Sequence, residues 1–148
     1  MSGNANLYAI LEAGFAKRPN AAAFTLGDGS VVTYQDLAAE IARMANALEA
    51  RGVKAGDRVM VQVEKSFANV LLYFATLKAG AVYNPLNTAY TAAELEYFIG
   101  DAKPKLLVVD PGRFAGLKPI AEKAGVGQVD TMAPDGTGTL ATLAAIQS

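Results

Sequence analysis

Cysteine and histidine, two residue types that carry much of protein chemistry, are absent from the sequence. Without cysteine the chain has no disulfide, no thiolate metal ligand and no cysteine nucleophile. Without histidine it lacks the commonest general base and the commonest transition-metal ligand. The chain by itself therefore cannot run a serine–histidine or a zinc mechanism.

An excess of charge is also absent, since 13 lysine and arginine residues face 14 aspartate and glutamate residues, for a net charge of -1. This balance offers no basic field for a phosphate backbone, so no nucleic-acid partner is expected. The longest apolar run, residues 67–83, is too short for a membrane span and is interrupted by Asn69 and Lys78. The N-terminus also lacks the basic residues that precede the apolar part of a secretory signal. We therefore expect a soluble, cytoplasmic protein.

Apolar residues, by contrast, are abundant. They make up 52% of the chain, against about 45–50% in an average soluble domain. The 148 residues suffice for one domain, and a domain of this size buries about 68–70% of the surface that its unfolded chain exposes. Part of the apolar surplus is therefore expected to contact a neighbour.

Helix and strand signals alternate along the chain. Capping residues followed by apolar positions at helical spacing predict helices that begin after Asn6, Thr33, Ser66, Thr91 and Asp110. An Asp-Gly turn predicts a β-hairpin of residues 22–26 and 31–34, and apolar runs predict strands at 58–63, 81–83, 105–109 and 126–130. The apolar patterns also predict core positions for Tyr73, Tyr83 and Tyr97. Strands separated by single helices predict an α/β fold, with a layered, mostly parallel sheet flanked by helices.

Polar segments follow three of the predicted strands, at residues 64–66, at the bend 84–90 and at 110–111. In parallel α/β sheets, ligands bind beyond the carboxyl ends of the strands. Most of these polar residues have an explanation as caps or turn formers. Lys65, Asn87 and Tyr90 do not, and they are the candidate substrate-binding residues. Neither a dinucleotide fingerprint nor a P-loop occurs in the sequence, and we predict no catalytic residue and no metal ligand in this chain.

Three stretches carry a family resemblance: ThrTyrGlnAspLeu at 33–37, the run at 45–59 that ends in GlyAspArgVal, and the run at 72–87 that ends in GlyAlaValTyrAsnProLeuAsn. Together they resemble the N-terminal region of the adenylate-forming acyl-CoA synthetases, over about residues 6–135. Within that superfamily, residues 61–66, 85–91 and 97–105 look most like malonyl-CoA synthetases.

The resemblance implies an enzyme that uses ATP and Mg²⁺ to form malonyl-AMP, releases pyrophosphate, and then transfers the malonyl group to the thiol of coenzyme A. It also implies that the family's phosphate loop, nucleotide contacts, acid-binding arginines and catalytic lysine lie beyond residue 148. The chain alone is therefore expected to be inactive.

On this interpretation, residues 1–135 form the N-terminal subdomain and residues 136–148 begin a following segment that is truncated. The apolar surplus would contact the remaining domains of the same polypeptide, or would let the chain self-associate. Two alternatives stay open. The chain could be a free-standing α/β binding module without catalysis, or part of a ligase for another short carboxylic acid.

Overall fold

The computed structural model describes residues 6–147. The helices are α1 (Leu7–Ala16), α2 (Tyr34–Ala50), α3 (Phe67–Lys78), α4 (Ala92–Ala102), α5 (Phe114–Lys123) and α6 (Thr139–Ala145). The strands are β1 (Ala22–Thr25), β2 (Val31–Thr33), β3 (Arg58–Gln62), β4 (Val82–Pro85), β5 (Leu106–Val109) and β6 (Gln128–Thr131). A short 3-10 helix, Pro111–Arg113, leads into α5. The predicted α/β fold is confirmed.

Four of the five predicted helix starts are confirmed, and Asp110 instead caps the 3-10 helix that leads into α5. The side chain of Asn6 accepts a hydrogen bond from the backbone N–H of Tyr8, and Ser66 caps α3 in the same manner. Thr33 and Thr91 each begin a helix with a complete capping box, in which the side chain three residues later bonds back to the cap. These reciprocal bonds satisfy backbone donors that a helix leaves unpaired at its first turn.

Four strands form one parallel sheet in the order β4-β3-β5-β6, and β1 and β2 form a separate antiparallel hairpin. Because successive side chains of a strand point to opposite faces, the central strands supply two cores. Val59 and Val61 face one core, whereas Met60 between them faces the other. The first core lies under α1, α2, α3 and α6, and the second lies under α4 and α5. The sheet therefore has helices on both faces.

The C-terminal part of the described chain packs on the first core. Leu140 of α6 is fully buried there, and Ala144 lies beside it. The junction between β6 and α6 is tight, because the backbone N–H of Thr131 donates to the hydroxyl of Thr139 and the N–H of Thr139 donates to the hydroxyl of Thr131. The division of the chain at residue 135 stays a prediction.

Two predicted core residues, Tyr97 and Tyr73, lie at the surface. Tyr97 is 69% exposed, so its core prediction was wrong. Leu95 and Ile99 are one helical turn apart and face the second core. Tyr97 lies midway between them in sequence, which places it on the opposite side of α4. Tyr73 is 38% exposed, so its core prediction was also wrong, whereas Tyr83 is half-buried against the first core.

Candidate functional site

The carboxyl ends of β3, β4 and β5 meet at one edge of the sheet. There the chain forms a cleft of about 600 Å³ between the segment after β3 and the segment after β4. Its lining residues are Val63, Glu64, Lys65, Asn69, Pro85, Leu86, Asn87 and Thr88. This edge is where open α/β sheets bind their ligands, so the cleft is the candidate functional site.

The structure brings two of the three candidate residues together. Lys65 and Asn87 both line the cleft and both are exposed. Tyr90 lies outside it, half-buried, with its ring stacked on Phe98 at a centroid distance of 4.9 Å. The role of all three as substrate-binding residues stays a prediction.

The side chain of Asn87 has a local partner. Its Oδ1 accepts a hydrogen bond from the backbone N–H of Ala89 at 2.8 Å, which is an Asx turn. Its backbone carbonyl accepts one from the N–H of Tyr90 at 3.1 Å. Asn87 therefore shapes the bend and also lines the cleft.

Two residues that the sequence analysis did not single out hold the bend in place. Gln62, at the end of β3 and 1% exposed, donates its Nε2 to the carbonyl of Asn87 at 2.8 Å. Arg113, in the 3-10 helix after β5, donates Nη2 to the carbonyl of Thr88 at 2.5 Å and Nη1 to that of Tyr90 at 3.2 Å. Nη1 of Arg113 also donates to Oε1 of Gln62 at 3.0 Å.

One signal for Gln62 was available in the sequence. It is the polar residue in a predicted strand that is otherwise apolar after its first position, and a buried amide requires hydrogen-bond partners. Arg113 gave no such signal, because its partners, two backbone carbonyls and the side chain of Gln62, are distant in sequence.

Tyr83 forms a polar link behind the cleft. Its hydroxyl donates to Oδ1 of Asn69, a cleft residue, at 2.7 Å. Burial raises the pKa of the Tyr83 hydroxyl above its ordinary value, and the Asn69 hydrogen bond opposes that shift. The hydroxyl is therefore neutral at physiological pH and acts as a hydrogen-bond donor.

A second polar cluster joins α2, β6 and α6 beside the sheet. Arg51 forms a bidentate ion pair with the buried carboxylate of Asp130, with Nε–Oδ2 and Nη2–Oδ1 distances of 2.8 and 2.9 Å. The hydroxyl of Thr139 donates to the same Oδ1 at 2.6 Å. Both carboxylate oxygens are thus hydrogen-bonded, as a buried charge requires. The cluster anchors α6.

Within residues 6–147, no group of three or more aspartate or glutamate side chains is placed to hold a metal ion. The described helices also include none with the length and apolar content that a bilayer crossing demands. The cleft presents one ammonium group, one carboxylate and two side-chain amides.

Comparison with known proteins identifies the family. The model of the AMP-binding enzyme family matches residues 11–145. The structure of apo MatB from Rhodopseudomonas palustris is similar, with 48% identity and a TM-score of 0.92 over 98% of this chain. A probable CoA ligase of Humulus lupulus, CCL9, is 28% identical over 95% of the chain. An acetyl-coenzyme A synthetase of Mycobacterium bovis is 36% identical over 74% of it.

The chain spans 28% of the MatB chain, 27% of CCL9 and 17% of the acetyl-coenzyme A synthetase. The match nevertheless takes in α2 to β6 without a break, including the sheet and its carboxyl edge. The family-level resemblance read from residues 33–37, 45–59 and 72–87 is confirmed. The chain belongs to the AMP-binding enzyme family.

Proposed function

We propose that this chain is the N-terminal part of an ATP-dependent acyl-CoA synthetase whose acid substrate is malonate. The observation that carries the proposal is the 48% identity to MatB over 98% of the chain. The malonyl-CoA-synthetase-like residues 61–66 and 85–91 support the choice of acid, and they form both walls of the cleft.

The proposed reaction has two steps. A carboxylate oxygen of malonate attacks the α-phosphorus of ATP, and pyrophosphate leaves. The thiol sulfur of coenzyme A then attacks the acyl carbon of malonyl-AMP, its proton is lost, and AMP leaves. Activation is needed because a carboxylate offers no leaving group to a thiol, and Mg²⁺ offsets the charge on the phosphates.

Within this proposal the chain has a scaffolding role. The sheet and its two cores hold the carboxyl ends of the strands in place. We assign no catalytic residue and no reaction step to the residues described. ATP, Mg²⁺, malonate or another short carboxylate, and coenzyme A are the expected cofactors and partners of the longer enzyme. A cytoplasmic location belongs to the same proposal.

The exposed apolar side chains support a contact with other domains of the same polypeptide. Ile10, Val82 and Ile146 are 66%, 49% and 76% exposed. In the absence of those domains, we expect the chain to self-associate at high concentration. Sedimentation velocity tests this expectation: a concentration-dependent increase in sedimentation coefficient supports it, and a constant monomer value contradicts it.

An independent binding module is the second candidate function. It is favoured by the complete burial of Leu140, which packs α6 on the first core within the described residues. Such a module would bind a ligand at the cleft and would not catalyse a reaction.

A hybrid enzyme separates the two candidates. Residues 6–147 replace the equivalent segment of MatB from Rhodopseudomonas palustris, and malonate-dependent ATP–pyrophosphate exchange is measured for the hybrid and for this chain alone. Exchange by the hybrid, with none by the chain, supports the ligase proposal. A folded hybrid without exchange contradicts it and favours the binding module. The matched control is MatB itself.

A further inference from the structure

We propose that Arg113 is a positioning residue, which sets the shape of one wall of the cleft by holding the backbone of the bend at residues 86–91. The inference rests on the proposed function only in its last step, namely that this wall faces a substrate of the ligase.

Few hydrogen bonds join residues of the bend to one another. Its two internal hydrogen bonds run from the N–H groups of Ala89 and Tyr90 to Asn87. The carbonyls of Thr88 and Tyr90 are instead satisfied by the two terminal nitrogens of Arg113. A guanidinium group presents its donors in a rigid planar fork. One side chain therefore fixes two carbonyls that are two residues apart.

Arg113 also connects three strand ends. It follows β5, it donates to Gln62 at the end of β3, and it reaches the bend that follows β4. Both ends of the buried Gln62 amide are engaged, with Oε1 accepting from Arg113 and Nε2 donating to Asn87. The amide thus has a single favourable orientation, and it links the arginine to the residue that lines the cleft.

The charge of Arg113 is committed to this task. In the part of the chain that the structure describes, no carboxylate lies within ion-pair distance of its guanidinium. Its hydrogen-bond partners are carbonyl oxygens, and hydrogen bonds from a charged donor are about twice as strong as neutral ones. A lysine could reach one of these carbonyls but could not reproduce the fork.

Amide hydrogen exchange of this chain tests the structural part of the proposal. Arg113→Met keeps much of the apolar stem and removes the donors, and Arg113→Lys keeps the charge. Arg58→Met is the matched control, because Arg58 donates to the carbonyl of Ala102 at the opposite edge of the sheet. We expect exchange of the Ala89 and Tyr90 amides to rise about tenfold or more in Arg113→Met.

Arg113→Lys should give a smaller rise, and the control should give none. Unchanged exchange at the bend in a folded Arg113→Met protein, or an equal rise in the control, overturns the proposal. If Arg113→Met does not fold, amide exchange at the bend is compared between Arg113→Lys and Arg58→Met. An equal rise in the two variants, or no rise in Arg113→Lys, then overturns the proposal.

The hybrid with MatB tests the functional part. Arg113→Met should raise the KM for at least one of ATP, malonate and coenzyme A by about threefold or more, with kcat changed less than about twofold, and Arg113→Lys should restore part of the loss. An equal loss of kcat with every KM unchanged indicates a merely structural role and overturns the inference. If the unsubstituted hybrid is inactive, the proposed function has failed. The amide hydrogen exchange rates of the bend then decide the role of Arg113 alone.

Discussion

Replacing Tyr8 by phenylalanine is expected to stabilise the protein. Tyr8 is 2% exposed, and its hydroxyl has no hydrogen-bond partner among the described residues. The ring packs against Phe15 and Phe74 at centroid distances of 6.3 and 6.4 Å, and Nζ of Lys78 lies 5.1 Å from its centroid. Phenylalanine keeps these ring contacts and removes only the hydroxyl.

The magnitude follows from the cost of the unpaired hydroxyl. Burying a hydroxyl without a partner costs about 1–3 kcal/mol. At the lower end of this range, Tyr8→Phe should raise the free energy of unfolding by about 1 kcal/mol. For a domain of this size, that gain corresponds to an increase in Tm of about 2–4 °C.

The pH dependence gives the prediction a second signature. Burial, with a smaller contribution from the charge of Glu12, raises the pKa of Tyr8 from 10.0 to about 12. Between these values the unfolded chain has lost the Tyr8 proton and the folded chain retains it, so wild-type stability falls as pH rises. The advantage of Tyr8→Phe should therefore grow by roughly 1.4 kcal/mol per pH unit from pH 10 to pH 12.

Urea unfolding, at neutral pH and across the alkaline range, measures both effects. Tyr83→Phe is the matched control, because the Tyr83 hydroxyl donates to Asn69 at 2.7 Å. Loss of that bond should destabilise the protein by about 1 kcal/mol at neutral pH. If Tyr8→Phe destabilises the protein as much as the control does, the Tyr8 hydroxyl is hydrogen-bonded and the reasoning is refuted.

Two glycines and one ion pair give further predictions, each measured by urea unfolding. Gly138→Ala should cost about 2–3 kcal/mol, because its φ is 136° and a Cβ there would overlap the carbonyl of Thr131; a neutral effect would contradict this. Gly100→Ala should instead stabilise by about 0.5–1 kcal/mol, since it lies within α4 with open space around it. Asp130→Ala should lower the free energy of unfolding by about 3 kcal/mol, because it leaves Arg51 without its ion-pair partner. A double-mutant cycle of Arg51 and Asp130 should show a coupling energy between the two residues, and purely additive effects would contradict the ion pair.

The features that the sequence predicted well are local. The pairs Thr33 with Asp36 and Thr91 with Glu94 form capping boxes because both partners lie in one helical turn. The apolar stripe of α2 is buried for the same reason, since residues three and four apart share a face. Strand order could not be predicted from such signals, because it depends on contacts between distant segments.

The candidate site shows the same division. The polar character of the bend was visible in the sequence, and Asn87 proves to satisfy its own backbone there. The residues that hold the bend, Gln62 and Arg113, are 23 or 25 residues from the carbonyls that they bind. Only the fold brings Gln62 and Arg113 to these carbonyls. The sequence therefore suggested the exposed Lys65 and Asn87 and did not suggest Arg113. The core prediction for Tyr97 was wrong because neighbouring apolar residues in a helix do not all lie on the same face of it.

Malonate is the proposed acid substrate of the longer enzyme. The most direct measurement is ATP–pyrophosphate exchange by the protein translated from an extended reading frame that includes this chain, with malonate, methylmalonate, acetate and benzoate compared at equal concentration. We expect this exchange to be fastest with malonate. Faster exchange with acetate or benzoate, or no exchange with any carboxylate, would contradict it.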